Sequence, residues 1–122
     1  MELSSLYSQD RHEAGAELVV MGEEGKPTPL TLILRGMDSA AYRESTKRMR
    51  RKVLDAMSSD GGIDSFDETA EDIKTFVELT VGWKGTDEPF TPELCTELYT
   101  KAPYIRDQVD HFIGKRANFT KG

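Results

Sequence analysis

Cysteine is nearly missing from this chain: Cys95 stands alone. One thiol cannot close an internal disulfide or build a multi-cysteine zinc site, so its expected place is a small buried apolar position on a helix. Histidine is almost as scarce. His12 and His111 lie far apart, and neither has a second histidine at metal-binding spacing. His111 follows Asp110, but neighbouring helical residues point in different directions, so the two form no dyad. Long apolar runs are also lacking: no stretch approaches the roughly 18 residues of a membrane helix. Met1 to Asp10 has no basic residue ahead of an apolar run, unlike a signal peptide, and the chain is expected to stay in the cytoplasm where it is made. Basic charge is in deficit as well. At net charge −6 and pI about 4.9, the whole chain is repelled by nucleic acid phosphates and anionic lipid.

Recognisable chemistry is missing too. No Gly-x-Ser-x-Gly, phosphate-loop or dinucleotide-binding pattern occurs. Asp107 with Asp110, and Glu68 with Asp72, sit at helical spacing, but helix faces carry such pairs routinely and no calcium loop with its closing Glu follows. Gly22-Glu23-Glu24-Gly25 is too acidic to cradle phosphate, and its glycines fit a turn. The expectation is a protein with no catalytic residues, cofactor or metal.

What is there suits one small domain. A chain of 122 residues buries roughly 65% of its unfolded surface, which allows an adequate core. Residues 1–16 are polar and mixed and read as a flexible N-terminal arm. Glu17 to Met21 is short and β-branched, Gly22 to Pro27 has turn chemistry, and Leu30 to Arg35 reads as a second strand. The two strands predict a hairpin with a longer loop, which needs cover from downstream helices. Gly36-Met37-Asp38-Ser39 ends the strand and offers a side-chain oxygen to cap a helix over Ala40 to about Ser58. There Tyr42, Thr46, Met49, Val53, Ala56 and Met57 share one arc, opposite Arg43, Lys47, Arg48, Arg50, Arg51 and Lys52. Asp60-Gly61-Gly62 stops that helix. A second helix is predicted from about Glu68 to Gly82, then a loop from Gly82 to Pro89 in which Trp83 covers the core. Thr91 and Pro92 start a third helix carrying Leu94, Cys95, Leu98 and Tyr99. Pro103 opens a fourth, with Ile105, Val109, Phe112 and Ile113 on its apolar side. The globular domain is thus placed at 17–114, with a basic tail at 115–122. The predicted fold is α+β, mainly α: an N-terminal hairpin followed by about four short helices.

Two features could carry binding. The basic run around Lys47, Arg50 and Arg51 could dock a partner or, over residues 43–52, grip nucleic acid. The simpler explanation is a solvated helix face neutralised from within, because Asp60, Asp64, Asp67, Glu68, Glu71, Asp72 and Glu78 follow against Lys74 alone. Surface pairs of that kind add roughly 0–1 kcal/mol each. The second feature is the gathering of aromatics in the last third, namely Trp83, Phe90, Tyr99, Tyr104, Phe112 and Phe119. Most suit a core, but Phe90 and Phe119 fall in loop and tail contexts, where exposure would create a binding or self-association patch.

The C-terminal stretch also resembles a known family. Val81-Gly82-Trp83-Lys84-Gly85, Pro89-Phe90-Thr91-Pro92-Glu93, the run from Pro103 to Ile113 (PYIRDQVDHFI), and Ala117-Asn118-Phe119 are similar to the tail assembly chaperones of long-tailed, siphovirus-type bacteriophages. Upstream, the paired strands followed by Gly36 to Arg43 (GMDSAAYR) fit the same pattern, so the likeness covers about residues 17–119. It implies a mainly helical protein of the host cytoplasm, absent from the mature virion. Such chaperones bind the tape measure protein, keep it soluble and help recruit tail tube subunits; many self-associate, and some also exist as a longer frameshifted form. The expected partners are therefore the tape measure and tail tube proteins and further copies of the chain, with no nucleic acid and no membrane. The expected contact residues are Trp83, Phe90, Tyr104, Phe112 and Phe119, with Lys47, Arg50 and Arg51 as a possible docking surface. The alternatives are a head–tail connector or tail completion protein, which mass spectrometry of virions would detect, and a nucleic-acid-binding regulator working through the basic helix.

Overall fold

The computed structural model describes residues 1–59, 61–62 and 66–120; Asp60, Ile63 and Asp64 of the expected helix stop and acidic stretch lie outside them. Among the described residues, five helices and three strands follow in the order α1 (Gln9–Ala14), β1 (Ala16–Met21), β2 (Pro27–Leu34), α2 (Ala40–Met57), α3 (Glu68–Leu79), β3 (Thr80–Lys84), α4 (Pro92–Lys101) and α5 (Pro103–Ile113). The fold is α+β and mainly helical, with the hairpin at its N-terminal end.

The hairpin closes as its composition predicts. Gly25 takes φ +81° in the turn, and its N–H donates to the Gly22 carbonyl at 2.9 Å. β1 runs antiparallel to β2, with Leu18 opposite Leu32 and Ala16 opposite Leu34. Near Val20 the register shifts, and the Thr28 hydroxyl donates to the Val20 carbonyl at 2.7 Å. A side chain there satisfies a backbone acceptor that the irregular ladder would leave open.

The second predicted helix is shorter than its periodicity suggests. It ends at Leu79, and Thr80–Lys84 forms β3, antiparallel to β2, so Trp83 is a strand residue opposite Leu32. Thr80, Val81 and Trp83 continue a plausible helical arc, but they are also good strand formers. The free edge of β2 decides between the two, because its backbone groups gain a ladder partner. The ladder continues past the strand, where Arg35 N–H donates to the Leu79 carbonyl at 2.8 Å. Directly after β3, Gly85 turns at φ +94°, where a Cβ would stand 1.8 Å from the Pro29 carbonyl oxygen.

One face of the sheet carries the core. Val20, Leu32 and Leu34 pack there with Ile73 and Leu79 of α3, Cys95 and Tyr99 of α4, and Ile105, Val109 and Ile113 of α5. Cys95 is buried as expected, and burial raises its thiol pKa. Tyr99 is fully buried, and its hydroxyl lies 2.7 Å from that of Thr80, which also donates to the Phe76 carbonyl. A buried hydroxyl pair so placed leaves no orphaned polar atom between β3 and α4.

Helix α2 packs differently from its predicted arc. Ser39 caps it by accepting from Tyr42 N–H at 3.2 Å. Its buried positions are the small Ser45 and Ala56, while Thr46 and Met57 are exposed. Arg48 and Lys52, expected to face outward, turn toward α3: Arg48 reaches Glu78 at 2.6 Å and Thr75 at 3.2 Å, and Lys52 pairs with Glu71. Asp67 caps α3 by accepting from Ala70 N–H. Carboxylates on α3 thus pair with the basic side of α2, while Ala41 and Tyr42 pack against the core.

The two termini are less free than expected. Leu3–Leu6 is a surface 3-10 turn, but α1 follows and sinks His12 to 1% exposure. The basic tail likewise coils into a 3-10 turn over Arg116–Phe119, and Phe119 is 1% exposed. The arm and tail meet through these two rings.

Candidate functional site

The aromatics expected to form one surface separate into groups. Trp83 and Phe90 make the first, with ring centroids 5.0 Å apart and planes near perpendicular at 81°. Their placement is local. The Trp83 indole donates to the Glu88 carbonyl at 2.8 Å, folding the 85–89 turn back on itself and bringing Phe90 against the indole. Thr91 then caps α4 through Leu94 N–H, with Pro92 in the first turn. Both rings remain half-buried.

Beside them opens a groove of about 370 Å³ between the sheet and α4. Leu30, Trp83, Leu94, Leu98 and Ala102 form its apolar wall. Leu94 and Leu98, four residues apart on α4, face it together with Ala102 just past the helix end. The rim is polar: Thr86 and Glu88 on one side, and Glu97 paired with Lys101 at 2.7 Å on the other. An apolar floor with a polar rim is the arrangement that buries the apolar side of an amphipathic helix. Leu94 and Leu98 were legible in the sequence as helix residues. Their role as a groove wall depends on β3, which places Trp83 across from them.

The second group is closed. Phe119 stacks on His12 at 4.6 Å and meets the edge of Phe112 at 5.5 Å. Phe119 is sealed and cannot serve as the exposed contact that its tail position suggests; Phe112 is half-buried beside it. Tyr104 belongs to neither pair. It lies half-buried against the core in the first turn of α5. Trp83 and Phe90 are thus brought together, while Tyr104, Phe112 and Phe119 stand apart from them.

Lys47, Arg50 and Arg51 are exposed on α2, and Lys47 pairs with the adjacent-turn Glu44 at 3.8 Å. With Arg48 and Lys52 turned to α3, the basic run is divided: part of it stabilises the domain and part faces solvent.

A polar junction that the sequence did not announce surrounds His12. Its Nδ1 accepts from Asp38 N–H at 3.0 Å, and its Nε2 lies 3.6 Å from the Asp38 carboxylate. Gly36 runs so close that a Cβ there would fall 2.1 Å from Nδ1. Asp38 also accepts from the Ser8 hydroxyl and from Arg116, whose Nη2 is 3.0 Å away. Hydrogen bonds from Arg116 and then Ser8 hold the Asp38 carboxyl at a pKa of about 2, while burial pushes that of His12 down. Ser8, His12 and Asp38 have the composition of a hydrolase triad but not its wiring. The hydroxyl donates to the carboxylate rather than to the imidazole, and the imidazole nitrogen that accepts is already taken by backbone. The junction ties α1, the start of α2 and the C-terminal turn together.

Among the described residues, no group of three His, Cys, Asp or Glu is placed to hold a metal ion, and no helix is long and apolar enough to cross a membrane. No protein-family model, no curated protein and no solved structure matches the chain, so the site rests on its own geometry.

Proposed function

We propose that this protein is a tail assembly chaperone of a long-tailed bacteriophage, and that the Trp83 groove takes an amphipathic helix of the tape measure protein. The observation that carries this is the half-buried Trp83–Phe90 pair at the end of an apolar groove walled by Leu94, Leu98 and Ala102. The groove is open to solvent and rimmed by Glu88, Glu97 and Lys101, which suits reversible capture better than permanent assembly. A net charge of −6 keeps such a protein dispersed while it holds an aggregation-prone partner. In this role the protein acts in the host cytoplasm, releases the tape measure as tail tube subunits assemble around it, and is left out of the mature virion.

The test is co-expression with tape measure fragments of the same phage. Trp83→Ala and Leu98→Gln each remove a groove contact and should weaken co-purification about thirtyfold or more, the scale of a central aromatic or aliphatic anchor. Their circular dichroism should match that of the parent. Undiminished capture by both folded variants would reject the groove as the binding site. Recovery of the protein in stoichiometric amounts from purified virions would favour a connector instead.

A further inference from the structure

A second apolar groove, also about 370 Å³, lies on another part of the molecule between α2, α3 and α5. Met37, Tyr42, Met49, Phe76 and Ile113 give it an apolar lining, with Asp72 and Asp110 toward α3 and α5 and Arg50 on the α2 side that leads to an adjoining basin. Methionine-lined surfaces adapt to the shape of what they cover. The groove continues into a basin where Gln9 and Asp38 meet Arg43, Lys47 and Arg50.

The first seven residues supply something to cover it. Leu3, Leu6 and Tyr7 are 70%, 64% and 66% exposed, and Met1 is 92% exposed. Leu3 and Leu6 stand at i and i+3 of the 3-10 turn, which sets them one above the other, and Tyr7 follows as the extended residue that ends it. In water this strip has no partner, although the chain has a mean hydropathy of only −0.55.

We infer that the strip of one copy docks into the α2–α3–α5 groove of a second copy, and that the exchange is reciprocal. The strip's apolar residues meet Met37, Tyr42, Met49 and Phe76, and its Glu2 approaches the basic rim of Arg43, Lys47 and Arg50. The root of the strip already sits at that rim: Gln9 lines the basin, and the Ser8 hydroxyl is tied to Asp38. Within one chain the strip stands clear of its own groove. Two chains related by a two-fold axis bring each strip to the other's groove, so every contact is made twice and the assembly closes on itself. The inference does not rest on what the Trp83 groove binds, and it gives the exposed basic residues of α2 a protein partner.

Sedimentation velocity on the full chain across the micromolar range tests it. The parent should dimerise, and Leu3→Ser/Leu6→Ser/Tyr7→Ser should weaken the dimer about 100-fold or more, because three apolar side chains leave the interface at once. That variant keeps its fold, since no residue of the strip is buried. A monomeric parent, or a dimer indifferent to the triple change, overturns the inference. Disulfide capture locates the contact: chains carrying Leu6→Cys, mixed with tagged chains carrying Met49→Cys, should form the covalent heterodimer. A bond forming only inside doubly substituted single chains would place the strip on its own groove and overturn the exchange. Loss of tape measure capture by Trp83→Ala leaves this dimer intact, so the two grooves fail or survive separately.

Discussion

Phe119→Ala tests whether the C-terminal turn is part of the fold. The ring is 1% exposed, stacks on His12 at 4.6 Å and meets the edge of Phe112 at 5.5 Å. A fully enclosed Phe→Ala change costs about 3–5 kcal/mol, including the aromatic contacts. Besides the ring contacts, the turn is held by a few polar ties: Arg11 to the Phe119 carbonyl at 3.0 Å, Asn118 to the Phe112 carbonyl at 2.9 Å, and Arg116 to Asp38. Local opening limits the loss, which is therefore expected near 2–4 kcal/mol. In urea, with a slope of about 2 kcal/mol per molar, this shifts the midpoint down by about 1–2 M. A second reading comes from the same cavity. Burial lowers the His12 pKa, so admitting water through the vacated site should bring it back up toward the ordinary value of 6.5. With only His12 and His111 in the chain, an NMR titration resolves the two imidazoles. A loss below about 1 kcal/mol together with an unmoved His12 titration would refute the packing described for the two termini.

The same junction sets an acid dependence. His12 has a folded pKa below its unfolded 6.5, so the unfolded chain takes the proton first: stability is complete above about 6.5 and declines as the pH falls below it. Asp38, at about 2 when folded against 3.8 otherwise, adds a second decline as the pH falls from 3.8 toward 2, and Asp38→Asn should remove that lower step from a pH series of thermal unfolding. Gly85→Ala should cost at least about 2 kcal/mol, because its Cβ would meet the Pro29 carbonyl oxygen at 1.8 Å with φ at +94°. Gly82→Ala, with nothing within 4 Å of its Cβ, should be near neutral in the same denaturation assay.

The chemical sequence alone determined the local elements. The Gly36–Ser39 stretch and Thr91 announce helix starts by offering a side-chain oxygen to unpaired amides, and both caps form, the first through Ser39. Pro92 and Pro103 mark first turns because they lack the N–H that a first turn leaves unpaired. The Gly22–Pro27 turn joins the two hairpin strands, and the apolar stripe of Ile105, Val109 and Ile113 found the core. Each of these depends on residues within a few positions of one another.

Tertiary structure decided whatever depends on a distant neighbour. Thr80 to Trp83 fits a helix and a strand almost equally well, and the open edge of β2 chose the strand. That choice set Trp83 opposite α4 and so made the groove. The exposed and inward sides of α2 likewise followed from the carboxylates of Glu71 and Glu78, which drew Arg48 and Lys52 inward against the apolar pattern. Phe119 in its basic tail has no local reason to be buried. Its cover is His12, at the other end of the chain, and a pairing across that separation leaves no period or spacing to read. Short-range preferences are written residue by residue, whereas long-range burial is settled only when the remote surfaces meet and exclude water.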